Sequence, residues 1–189
     1  MSLQSLLLVL LGYLSGSLMF SAWLVRLRGR DISAVGDGTP GAFNAFIAGG
    51  PLVGTASLIL DFIKGALPVA AALSIRGAEG WWVTPVIVAP VLGHVFPVFE
   101  RFRGGKALTV TFGVWAGVTA WEVPCLIGAA MATGKLVLRF KKDGMSALLG
   151  MIVLAVYVPV RYRSLPLSAA ALLCAAVVVW THRREMRLR

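Results

Sequence analysis

Seven apolar runs, separated by short polar or basic breaks, leave this chain little choice but to fold across a lipid bilayer. They cover about 3–25, 50–75, 81–99, 105–121, 122–138, 145–160 and 165–181, and a spanning helix needs roughly 20 predominantly apolar residues. With 58% of its 189 residues hydrophobic and 14% charged, the chain has more apolar surface than a soluble interior of that size can enclose. The expected fold is an all-α integral membrane protein with seven transmembrane helices, one membrane-embedded domain over residues 1–189. Only Glu122 and Pro124 divide the fourth run from the fifth. No basic residue precedes the first run, which continues past signal-peptide length and so reads as a retained span.

The basic residues then set the orientation. Arg26, Arg28 and Arg30; Arg101, Arg103 and Lys106; Arg139, Lys141 and Lys142; and Arg183, Arg184, Arg187 and Arg189 all fall on one side of a seven-span chain, against Arg76, Arg161 and Arg163 on the other. By the positive-inside rule the N-terminus is outside and the C-terminus cytoplasmic. A formal charge of +10 could suggest nucleic acid. These charges, however, are short clusters between apolar runs, which suits topology and anionic lipid heads instead. Cys125 and Cys174 both sit inside apolar runs and read as small packing residues, not as metal ligands or a disulfide.

The residues with chemical potential gather on the cytoplasmic side. Gly104-Gly105-Lys106 follows Arg101 and Arg103 and opens the fourth run. Paired glycines before a helix let backbone N–H groups approach an anion, the helix N-terminus carries partial positive charge, and Lys106 adds a full one. The same tripeptide also suits a plain basic turn. The segment Arg30–Asn44 is too polar and glycine-rich to span and long for a connector. It is either a surface turn or a site-lining loop, since irregular backbone at membrane depth survives only against protein or a wet cavity. Asp61 and Lys64, at i and i+3 inside the second run, form an internal ion pair or face a substrate. His94, near the end of the third run, reads on spacing as a packing residue, and His182, beside Arg183 and Arg184, as an interfacial flank.

Three segments taken together narrow these readings. Val35-Gly36-Asp37-Gly38-Thr39-Pro40-Gly41-Ala42-Phe43-Asn44, Asp61-Phe62-Ile63-Lys64-Gly65, and Gly93-His94-Val95-Phe96-Pro97 with Gly104-Gly105-Lys106 occur in that order. The chain resembles the acyl-phosphate:glycerol-3-phosphate acyltransferases, the PlsY family, over nearly its whole length, and Trp180-Thr181-His182-Arg183 is similar to that family's last motif. The resemblance implies transfer of a fatty acyl group from acyl phosphate to the first hydroxyl of glycerol 3-phosphate, giving lysophosphatidic acid and phosphate, without metal or cofactor. It implies a catalytic set of His182, Lys106 and Asn44, with His182 steering or accepting a proton. Gly36, Asp37, Gly38, Thr39, Gly41, Lys64, Gly104, Gly105 and Lys106 would bind phosphate or substrate, supported by Asp61, His94 and Arg103. The implied partners are the bilayer and the two substrates, with no nucleic acid. The implied setting is a bacterial cytoplasmic (inner) membrane with the site facing the cytoplasm, and the expected state is a monomer.

The motifs depart from the family pattern at defined points. Asp37 stands where the family has serine, Thr39 where it has asparagine, Phe43 where it has threonine and Ile47 where it has arginine. Ala107 replaces a glycine and Glu185 an asparagine. Losing a bidentate guanidinium and gaining a carboxylate both act against binding a dianion. An altered acyl acceptor and a non-catalytic lipid-binding relative therefore stand beside the acyltransferase reading. A small transporter fits less well, because it would need matched, broken half-repeats, and no internal repeat is visible.

Overall fold

The structure, a computed structural model, describes residues 2–187, and their regular structure is entirely helical. The helices are α1 (Leu3–Gly16), α2 (Phe20–Leu27), α3 (Ala42–Gly49), α4 (Pro51–Arg76), α5 (Val83–Val95), α6 (Leu108–Thr119), α7 (Glu122–Ala132), α8 (Asp143–Tyr162) and α9 (Leu165–Arg187). Ser2 starts α1 by accepting the Ser5 amide on its hydroxyl at 3.2 Å. Pro51 occupies the first turn of α4, where its missing N–H costs nothing, behind Gly50 at φ +84°.

Five stretches are long and apolar enough to cross a membrane: Leu3–Leu27, Pro51–Arg76, Val83–Glu100, Asp143–Tyr162 and Leu165–Met186. Of the remaining two expected spans, the fourth is shorter than the sequence suggested, and the fifth reaches its expected length only with a change of helix type. The run at 105–121 yields the 12 residues of α6, and the run at 122–138 yields the 11 of α7, wound on into a π-helical turn, Thr133–Val137. At 1.5 Å per residue, α6 extends only about 18 Å, against a hydrocarbon core of about 30 Å. Its ends are set by residues of positive φ, Ala107 in the left-handed helical region at φ +61° and Ala120 at φ +53°. The stretch between the first two expected spans, 26–49, also contains a helix, α3, where the sequence suggested a loop.

Glycines let these helices approach closely, as small residues do in membrane bundles. Gly16 lies on the Pro90 backbone and Gly93 on the Tyr13 carbonyl, joining α1 to α5. Gly65 meets the Val110 carbonyl, Gly113 the Phe62 carbonyl and Gly117 the Ala66 carbonyl, joining α4 to α6. Ile87, Trp115, Met151, Leu154, Cys174 and Val178 fill the core between α5, α6, α8 and α9. A second, smaller core of Met19, Val25, Ile32, Ala45 and Val53 supports the loop between α2 and α3. Outward leucines and isoleucines such as Leu7, Leu10, Ile59, Ile152 and Leu172 are exposed, as a lipid-facing surface requires.

Candidate active site

The loop after α2 is shaped by its own short polar side chains. Asp31 accepts the Ser33 amide at 2.9 Å and its hydroxyl at 2.7 Å. Gly36 and Gly38 take φ +57° and +73°, and the Gly38 amide closes a turn on the Val35 carbonyl at 2.9 Å. This turn presents Asp37. Its Oδ1 accepts from the Thr39 amide (3.1 Å), the Thr39 hydroxyl (2.7 Å) and Asn44 Nδ2 (2.7 Å). Asn44 Nδ2 also donates to the Thr39 carbonyl at 2.8 Å. Asn44 therefore braces the loop from the first turn of α3, with both amide hydrogens committed to it.

Gly104 and Gly105 carry the chain across the end of α5. A side chain at Gly104 would strike the His94 and Val95 carbonyls, and one at Gly105 would strike the Pro40 carbonyl and the His94 ring. The Gly105 amide donates to the His94 carbonyl at 3.1 Å. The pair is thus a close-packing device, and neither glycine lines the cavity described below. Lys106 emerges from this turn, and the Thr181 hydroxyl of α9 donates to its carbonyl at 3.0 Å. Its ammonium forms ion pairs with Asp37 Oδ2 from the loop and with Glu185 Oε1 from α9. Burial alone would raise the Asp37 carboxyl, but hydrogen bonds from Lys106, Thr39 and Asn44 outweigh it and hold the group well below the usual carboxylate range. Burial acts to lower the Lys106 ammonium, yet its two carboxylate partners raise it above the ordinary lysine value. Lys106 is accordingly not the free cation the sequence suggested.

His182, one turn before Glu185, is buried. Its Nδ1 lies 2.8 Å from the Val178 carbonyl, which can only accept, so Nδ1 carries the hydrogen and Nε2 of the neutral ring is the proton acceptor. His94 is also buried, and its Nδ1 has no hydrogen-bond partner among the described residues.

These groups converge on one cavity of about 320 Å³. Gly36, Asp37, Thr39, Gly41 and Asn44 line it from the loop and α3, Asp61 from α4, His94 from α5, Lys106 from the turn before α6, and His182 from α9. Lys64 is placed elsewhere. It pairs with Asp61 Oδ1 at 2.7 Å and donates to the Leu18 carbonyl, exposed by the break between α1 and α2, so its charge is consumed as an internal tie. Gly38 shapes the turn without lining the cavity. Arg103 stands in a neighbouring cleft with Arg26, Glu100 and Arg101. Glu185 and Asp143 line the cavity as well; Glu185 had stood out only as a departure from the last motif, and neither was among the expected site residues. The signal for Glu185 was available, since i and i+3 share a helix face and His182 was already a candidate.

Comparison with known proteins decides the ancestry of this arrangement. The family model described as glycerol-3-phosphate acyltransferase matches residues 6–188. The chain belongs to the glycerol-3-phosphate acyltransferase family. It is 36% identical to the glycerol-3-phosphate acyltransferase of Thioalkalivibrio sulfidiphilus over 95% of this chain and 87% of that one. It is also 36% identical to glycerol-3-phosphate acyltransferase 1 of Deinococcus radiodurans over 99% and 92%. The fold superposes on a crystal structure of PlsY, an integral membrane glycerol 3-phosphate acyltransferase, in its glycerol 3-phosphate form. That match has a TM-score of 0.89 at 29% identity over 96% of this chain and 90% of that one. The lysophosphatidic acid form of that acyltransferase gives 0.87 at 27% identity, covering 96% and 89%. This member of the family is thus an integral, multi-pass membrane protein.

Proposed function

We propose that the chain transfers a fatty acyl group from acyl phosphate to the 1-hydroxyl of glycerol 3-phosphate, releasing lysophosphatidic acid and inorganic phosphate. The observation that carries this reading is the convergence of Lys106, His182 and the loop of Asp37 and Asn44 on a single cavity.

An acyl phosphate is already activated, so the protein's work is to hold two anions, place the hydroxyl and move one proton. The cavity supplies positive potential from two helix starts. Gly41, Ala42 and Phe43 line it at the N-terminus of α3, and Ala107, Leu108 and Thr109 line it at the N-terminus of α6. Each helix N-terminus acts as roughly +0.5 of a charge. Together with Lys106 they offset Asp37 and Glu185, and among the described residues no further cation stands in for the family arginine, whose place Ile47 takes. That residue is exposed on α3.

In the reaction, the acceptor's hydroxyl oxygen attacks the acyl carbon and its proton passes to His182 Nε2. The bond from the acyl carbon to the phosphate oxygen breaks, phosphate leaves with the electron pair, and His182 returns the proton to it. Lys106 holds phosphate, while Asn44, Thr39, Gly36, Gly38 and Gly41 keep the loop in shape around it. His94 and Asp61 form the floor.

The working unit in this reading is one domain over residues 1–189, monomeric, in a bacterial cytoplasmic membrane. It crosses seven times, N-terminus outside, with α6 and α7 as the short crossings and the cavity facing the cytoplasm. Supporting this, the basic residues at 26–30, 101–106, 139–142 and 183–184 all lie at the cavity's end of the bundle in such a topology.

The test is phosphate release by purified protein given acyl phosphate with a panel of polyol phosphates. Formation of lysophosphatidic acid with glycerol 3-phosphate is expected. A rate no higher than detergent blanks for every acceptor overturns the reading.

A further inference from the structure

The two carboxylates that hold Lys106 are not equivalent. Besides Lys106, Asp37 accepts from the Thr39 amide, the Thr39 hydroxyl and Asn44. Pulling it away would dismantle the turn that forms the loop. Among the described residues, Glu185 has Lys106 as its sole hydrogen-bond partner, through Oε1, and its buried Oε2 accepts from none of them. A buried carboxylate oxygen without a donor is an unfavourable contact. The backbone beneath Glu185 is fixed independently, since Lys142 Nζ donates to the Met186 carbonyl at 3.0 Å and Gly144 of α8 packs on the Glu185 Cβ. The helix end can therefore stay in place while this one side chain moves.

An acceptor's phosphate bound at Lys106 has to compete with the anions already there. From this asymmetry we propose that Glu185 is a built-in competitor for the acceptor's phosphate: it occupies Lys106 in the empty site and yields that position when phosphate binds. It is then a specificity-determining residue that sets the acceptor concentration the enzyme responds to, and the concentration at which released phosphate inhibits. This rests on the reading of Lys106 as the phosphate-holding residue. Asp37 stays in place throughout, because three further hydrogen bonds retain it.

The test compares wild type with Glu185→Gln, which keeps the side chain's shape and removes its charge, and with Glu185→Ala. Two quantities are read: KM for glycerol 3-phosphate in the phosphate-release assay, and affinity for inorganic phosphate alone by calorimetry in detergent. Removing one partly exposed ionic competitor is expected to lower KM about fivefold and to tighten phosphate binding by a similar factor. Unchanged or weaker phosphate binding in both variants overturns the proposal, as does a fall in kcat with KM unmoved, the signature of a merely structural contact. The calorimetric arm needs no turnover. A wild type inactive with every acceptor would therefore count against acyl transfer, while the competitor role is still decided by phosphate affinity.

Discussion

Two carboxylate clusters lie at opposite ends of α9, and they are built on opposite principles. Near its start, Glu122 is saturated. Its Oε1 accepts from the Tyr157 hydroxyl (2.5 Å) and Arg161 Nε (3.1 Å), and its Oε2 from the Tyr162 hydroxyl (2.8 Å). About 26 Å away by helical rise from Leu165 to His182, Lys106 is shared by two carboxylates, and among the described residues Glu185 Oε2 and His94 Nδ1 have no hydrogen-bond partner. Both clusters pair charges between segments distant along the chain. In the saturated one both oxygens already accept from α8, so it staples the start of α7 to the end of α8. The unsaturated one lines a cavity and leaves Glu185 Oε2 and His94 Nδ1 unpartnered among the described residues.

The contrast can be broken by mutation. The largest effect is expected at His182: removing the proton acceptor with His182→Ala should lower kcat by about a hundredfold, measured as phosphate release. Next, Lys106→Ala should lower kcat/KM at least about tenfold, the scale of ~1.4 kcal/mol of transition-state stabilisation. A near-normal rate would mean the two helix N-termini hold phosphate unaided. Asp37→Ser should cost a few-fold in kcat/KM instead of improving acceptor affinity, because it removes the hub of the loop along with a charge; tighter acceptor binding would show that Asp37 only repels. The smallest effect belongs to the saturated cluster. Glu122→Gln should lower the melting temperature in detergent while kcat and KM keep their wild-type values, and a change in either would join the two ends functionally.

Much of this site was legible in the sequence because its chemistry is carried by residue types that are costly in a membrane. Asp61, Lys64, His94 and Lys106 each interrupt an apolar context, so each demanded a partner. What could not be read was which partner the three charged residues found, or that His94 Nδ1 has none among the described residues. Lys64 looked available to a substrate, yet the break between α1 and α2 frees the Leu18 carbonyl to take it. Gly104 and Gly105 looked like an anion cradle, yet the end of α5 comes so close that their lack of a side chain is used for packing. Asn44 looked catalytic, and its amide turned out to be committed to Asp37 and Thr39.

The length of each span showed the same limit. Hydropathy located both α6 and α7 but overestimated α6, because apolar composition continues through Ala107 and Ala120 while the backbone there takes positive φ. Local sequence carries hydrophobicity and charge, and in a bilayer those two quantities alone are enough to dictate helices, their lipid-facing surfaces and the side on which basic loops gather. The pairing of Lys106 with both Asp37 and Glu185 depends on segments 69 and 79 residues away along the chain. It exists only because glycine contacts draw α4 to α6 and α1 to α5, and because Thr181 ties the turn before α6 to α9. Tertiary packing therefore decided which carboxylate stays and which is free to leave, since that depends on counting each oxygen's donors in three dimensions.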